Sequence, residues 1–127
     1  MGALISLYAL AEWPDLFGGA GCLSTHWPIG EQVLPEYFAI SLPKPSIYKL
    51  YFDYGTEDLD RNYEDFQIQM DRFLQKMGYQ RGRDWLTLKF RGAEHSERAW
   101  RARLQIPLAF LLGIESVWLD EARERHC

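Results

Sequence analysis

Two short loops hold the residue types most able to do chemistry. One is Gly55-Thr56-Glu57-Asp58 and the other is Gly92-Ala93-Glu94-His95. A histidine can take a proton from a hydroxyl when its other ring nitrogen is fixed by an acceptor. A carboxylate does this and also stabilises the imidazolium that forms. Each loop follows a run that reads as a buried strand and precedes a run that reads as a helix. Loops at strand carboxyl ends surround the site in open α/β sheets. Alone, each residue has a bland account. His95 sits beside Glu94 and Glu97 as a surface histidine does, and Asp58 shares a solvated acidic cluster with Glu57 and Asp60. Their order makes the stronger case: the acid comes first and the histidine follows the next strand. Asp53, inside or at the end of its strand, is the other carboxylate able to orient His95.

The elements that position these loops follow from periodicity. Residues 2–13 are nearly continuous in small and apolar residues, which predicts a helix buried on most sides, and Pro14 ends it. Phe17 to Ser24 reads as a glycine-rich strand whose backbone packs close to a neighbour. Residues 25–46 carry four of the six prolines and read as a long excursion with one helix from Pro35 to Leu42. Ile47 to Phe52 reads as a buried strand. Tyr63, Phe66, Met70, Phe73, Leu74 and Met77 then follow helical spacing, and Gly78 stands where a C′ glycine ends a helix. Trp85 to Phe90 alternates as a strand does. Ser96 is placed to cap a helix, whose apolar face is Trp100, Leu104, Leu108 and Leu111 and which Pro107 should kink. Residues 114–127 read as a charged, amphipathic tail without a motif. Strands alternating with helices predict an α/β fold with about three mostly parallel strands and flanking helices.

Composition excludes several classes. With 47% hydrophobic and 15% aromatic residues, the 127-residue chain has a globular make-up, and its length sets a ceiling of one domain. Eighteen acidic against fourteen basic side chains argue against nucleic acid or an anionic membrane as partner. The arginines between Arg81 and Arg103 alternate with acids and read as a solvated face. No apolar run spans a bilayer, and no basic segment precedes Leu4-Ile5 as in a signal peptide. The two cysteines, Cys22 and Cys127, are not expected to pair, and such usage fits the cytoplasm. Asp58-Leu59-Asp60 imitates the start of an EF-hand, but Tyr63 stands where glycine is needed and Gln69 where glutamate is needed. His26, His95 and His126 lack zinc-ligand spacing, so no metal or cofactor is expected.

Four stretches carry a resemblance. They are Leu4-Ile5-Ser6-Leu7-Tyr8-Ala9-Leu10-Ala11-Glu12, Cys22-Leu23-Ser24-Thr25-His26-Trp27-Pro28, Tyr51-Phe52-Asp53-Tyr54-Gly55-Thr56 and Gly92-Ala93-Glu94-His95-Ser96-Glu97-Arg98-Ala99-Trp100. In these the chain resembles the esterase D and enterochelin-esterase-like group of α/β-hydrolases, over roughly residues 1–113. The histidine motif is the most specific part. The resemblance implies a carboxylic ester hydrolase of the Ser–Asp–His type, with His95 as general base, Asp58 as acid and a small ester as substrate.

The same match makes Met1-Gly2 the last two residues of the Gly-x-Ser-x-Gly elbow. The serine would fall just before Met1, and the Met1 backbone nitrogen would be an oxyanion-hole donor. Ser24, His26 and Trp27 become candidate pocket-lining residues. Ser6 and Ser24 lack an elbow's flanking glycines and are not expected to act as nucleophiles. The chain thus resembles the carboxyl-terminal part of an α/β-hydrolase domain and is expected to be inactive alone. Under that topology the strand at Ala20–Ser24 exposes an unpaired edge, through which the chain could self-associate. The alternative function is a short non-catalytic protein that binds a partner through the same edge.

Overall fold

The most continuously apolar strand takes the centre of the sheet. Leu50, Tyr51, Phe52 and Tyr54 are all buried, as expected of a strand covered on both faces. They lie in β2 (Lys49–Gly55), between β1 (Gly19–Leu23) and β3 (Trp85–Phe90) in one parallel sheet of order β1-β2-β3. Phe52 stands opposite Cys22 on one side and Thr87 on the other. This structure, a computed structural model, describes residues 1–125. His126 and Cys127 lie outside the described residues, and so does any pairing of Cys127 with Cys22.

Six helices cover the sheet among the described residues: α1 (Gly2–Glu12), α2 (Val33–Ser41), α3 (Glu64–Met77), α4 (Glu97–Arg103), α5 (Gln105–Leu112) and α6 (Glu115–Glu124). Alternation along β2 splits the core in two. Leu50 and Phe52 pack with Leu7 and Leu10 of α1, Phe38 of α2 and Met70 and Leu74 of α3. Tyr51 faces the other way, toward Leu86, Leu88, Ile106, Phe110 and Trp118. The three parallel strands with flanking helices are those the sequence predicts. Gly19 explains one glycine of the first strand, because a Cβ there would collide with the Lys49 carbonyl.

Several elements depart from expectation. α1 buries Ala3, Leu4, Leu7 and Leu10 but exposes Ile5 and Tyr8, since the sheet covers only one of its sides. β2 extends to Gly55, so Asp53 lies inside it. The helix after Ser96 is two helices, parted at Leu104. Pro107 lacks the N–H that would bond the Arg103 carbonyl across that junction. The break also changes the buried face. Arg103, Ile106, Ala109 and Phe110 turn inward, whereas Leu104 and Leu108 are about half exposed. The expected charged tail forms α6, which seals the second core with Trp118 and Ala122.

Candidate functional site

The two chemical loops are tied to each other by backbone. Thr56 N and Glu57 N both donate to the Ala93 carbonyl, at 3.1 and 3.0 Å. Gly92 N donates to Thr56 Oγ1 at 2.8 Å. Gly55 allows this crossing, because any Cβ there would collide with the Ala93 carbonyl. Beyond Gly55 the chain makes a 3₁₀ turn over Asp58–Asn62, in which Asp58 adopts φ 55°. Aspartate tolerates that left-handed conformation better than most residues. The consequence is decisive for the site: Asp58 points to solvent, and Asp60 turns inward to 1% exposure.

Asp60 is therefore the carboxylate at His95. Its Oδ1 lies 2.7 Å from His95 Nδ1. Its Oδ2 accepts from Ser24 Oγ and from Gly55 N, both at 2.6 Å. Asp58, the acid expected from the sequence, makes no side-chain contact with His95, and neither does Asp53. The reason is local geometry, since the 3₁₀ turn decides which carboxylate of the acidic run faces the fold.

His95 sits in the loop after β3, one residue before Ser96, whose Oγ accepts from Ala99 N at 3.2 Å and caps α4. Trp100 of α4 meets the imidazole edge to face, with ring centroids 4.9 Å apart. The His95 side chain is 19% exposed, and its Nε2 has no hydrogen-bond partner among the described residues. The ring lines a cavity of about 240 Å³ with Met1, Gly2, Ala3, Gly21, Leu23, Ser24 and Trp100. Met1 and Ser24 are thus brought to His95 as expected. A histidine with Nδ1 facing a buried carboxylate and Nε2 free beside a cavity is arranged to remove a proton from a hydroxyl placed there.

A second layer supports the pair. Tyr63 Oη lies 2.6 Å from His26 Nδ1 and 3.3 Å from His95 Nδ1. Burial, and next the nearby terminal amine, hold His26 below the ordinary histidine range. A neutral His26 can accept the Tyr63 hydroxyl proton, while burial and the charges of Asp60 and Asp58 raise the Tyr63 phenol. His26 lies beside Tyr63 with its ring 6.4 Å from that of His95, edge to face, and does not line this cavity. Trp27 is fully buried in the first core, with Nε1 donating to Gln67 Oε1 at 3.1 Å, so it is a core residue and not a pocket wall.

Ser24 joins this site to a buried ion pair. Its hydroxyl donates to Asp60 and accepts from Trp100 Nε1 and Arg103 Nη2, both at 3.0 Å. Its proton is committed and its side chain is buried, which excludes it as the nucleophile in this arrangement. Arg103 in turn grips Asp53, with Nε 3.0 Å from Oδ2 and Nη2 2.8 Å from Oδ1. Tyr51 Oη adds a bond to Asp53 Oδ2 at 2.9 Å. Burial pushes the Asp53 carboxyl up, against the pull of Arg103 and these hydrogen bonds.

Sequence reasoning missed Asp60, Tyr63 and Arg103. Asp60 stood in the acidic cluster, Tyr63 in the helical pattern, and Arg103 among arginines read as solvated. No group of three or more metal-ligating side chains is gathered among the described residues. None of their helices is long and apolar enough to cross a membrane.

Fold and site together define a class: a parallel α/β unit with an acid–histidine pair at the carboxyl ends of its strands. No protein-family model matches the chain, and searches of curated proteins and of solved structures return no match.

Proposed function

We propose that His95 and Asp60 are the general base and orienting acid of a carboxylic ester hydrolase of the α/β-hydrolase type. The observation that carries this reading is the 2.7 Å contact between His95 Nδ1 and buried Asp60, beside a cavity that also holds Met1 and Gly2. In the reaction a serine hydroxyl attacks the ester carbonyl while His95 Nε2 takes its proton. The tetrahedral intermediate collapses to an acyl-serine as His95 returns that proton to the leaving alkoxide. Water then repeats the sequence and releases the acid. Asp60 holds the imidazolium through its contact with Nδ1. The resemblance to the esterase D and enterochelin-esterase-like group supports this reading, with Asp60 in place of Asp58. No serine among the described residues hydrogen-bonds to His95, and it is the resemblance that implies a nucleophile directly before Met1.

The test has two arms. The 127-residue chain should not turn over p-nitrophenyl acetate. A product extended in frame upstream, so that a Gly-x-Ser precedes Met1, should do so. In that product His95→Ala should abolish turnover and Asp60→Asn should lower kcat by about four orders of magnitude. Absence of such codons upstream sinks the reading, as does esterase activity that survives His95→Ala.

A further inference from the structure

Three loops at the carboxyl ends of the strands converge at His95. His26 follows β1, Tyr63 follows β2 and His95 follows β3. Each is fixed by its neighbours. Trp27, next to His26, is fully buried and stacks on Phe52 with ring centroids 6.2 Å apart. Tyr63 is buried and closes the same 3₁₀ turn that holds Asp60, since Tyr63 N donates to the Asp60 carbonyl at 3.0 Å. The acid and the tyrosine therefore reach His95 Nδ1 from one turn.

Among the described residues the Tyr63 hydroxyl has two polar partners, His26 Nδ1 at 2.6 Å and His95 Nδ1 at 3.3 Å. A hydroxyl has one proton to give. Given to His95 Nδ1, it would leave the His95 hydrogen on Nε2, which could then take no proton from a hydroxyl. It would also set a bare Nδ1 against Asp60 Oδ1 at 2.7 Å, lone pair facing lone pair. Given to His26 Nδ1, it leaves only oxygen lone pairs toward His95. The His95 hydrogen then sits on Nδ1, where Asp60 and Tyr63 both accept it, and Nε2 stays bare. The shorter contact marks where the Tyr63 proton lies. Burial holds His26 below the ordinary histidine range, and acceptance requires a neutral ring.

We infer that His26 is a positioning residue for His95: by accepting the Tyr63 proton it selects the His95 tautomer whose Nε2 is bare. It acts through Tyr63 and needs no contact with substrate. The role deepens the proposed function and rests on it, because the bare Nε2 matters to a histidine that works as a base. Ring packing alone, which also joins the three side chains edge to face, makes no demand on the direction of the protons.

Imidazole nitrogen NMR on the whole chain tests this, above about pH 8 where histidines are neutral. The expected result is His26 with its hydrogen on Nε2 and His95 with its hydrogen on Nδ1. A His26 hydrogen on Nδ1 overturns the inference, and that measurement needs no variant. His26→Leu removes the acceptor and turns the Tyr63 proton toward His95. The ratio of Nε2–H to Nδ1–H forms of His95 should rise about tenfold. Tyr63→Phe added to His26→Leu removes the competing donor, so the ratio should return toward the original. An unchanged ratio in His26→Leu overturns the inference, as does a double variant no better than the single one. In the product extended upstream, His26→Leu should lower kcat by the Nδ1–H fraction lost and leave KM unchanged. Inactivity of the unsubstituted extended product would sink the esterase reading and not the tautomer result. Full activity of its His26→Leu variant with unchanged tautomers would sink the inference and not the reading.

Discussion

Two buried carboxylates, Asp53 inside β2 and Asp60 in the turn beyond it, meet opposite fates. Asp53 faces Arg103, a permanent cation with a side chain 4% exposed; Tyr51 and Ser24 add hydrogen bonds to the pair, and Arg103 Nη1 is left buried without a partner. Asp60 faces His95, an imidazole that lines a cavity. The first arrangement holds the fold, because its partner can give up no proton. The second can do chemistry, because an imidazole, unlike a guanidinium, can accept a proton from a hydroxyl and hand it on. Ser24 bonds both Asp60 and Arg103, so the Arg103 pair steadies the His95 pair.

The largest expected effect comes from breaking the Arg103 pair. Asp53→Ala leaves a buried guanidinium without a counter-charge and should cost about 3–5 kcal/mol in chemical denaturation. An exposed salt bridge would lose less than about 1 kcal/mol, and a loss that small would show the pair to be dispensable.

A third carboxylate sharpens the contrast because no ion pair among the described residues holds it. Asp71 accepts from Gln67 Nε2 at 2.9 Å and Thr87 Oγ1 at 2.7 Å, and burial raises it from 3.8 to about 6. The folded state therefore binds the Asp71 proton more tightly than the unfolded chain does. Its contribution is complete below the unfolded value and is lost as pH rises through about 6, by about 3 kcal/mol. Melting followed from pH 4 to 7 should show this loss, and Asp71→Asn should flatten it. His26 works in the opposite sense. Its lowered value favours the neutral ring, so that contribution is lost as pH falls below the ordinary histidine range.

Asp60→Asn should cost less than Asp53→Ala, about 1–3 kcal/mol, because the donors left behind are neutral or partly exposed. Its signature lies in the imidazole. Nitrogen NMR should show the fixed Nδ1–H tautomer of His95 giving way to a mixture. Asp58→Asn should change stability by no more than about 0.5 kcal/mol and leave His95 untouched. The reverse pattern would restore Asp58 as the orienting acid.

Legibility in the sequence followed the range of the interaction. Gly78 ends α3 at φ 102° with Tyr79 N bonded back to Leu74, as its place in the pattern implied. Ser96 caps α4 through a neighbour three residues away. The three strands were legible because alternation and apolar runs are local. Arg103 was not, since nothing near it in sequence signals that Asp53 waits inside the fold. The break at Leu104 moved it from a solvated stripe to the buried face.

By itself the sequence determined the parallel α/β plan and the two loops, acid before histidine. Local propensity and hydrophobic period suffice for both. Only the tertiary structure chose Asp60 over Asp58, through a left-handed residue in a turn that Ala93 backbone and Gly55 hold together. Which side chain of an acidic run meets a histidine depends on chain direction across a tertiary contact, and no spacing rule within the run contains it.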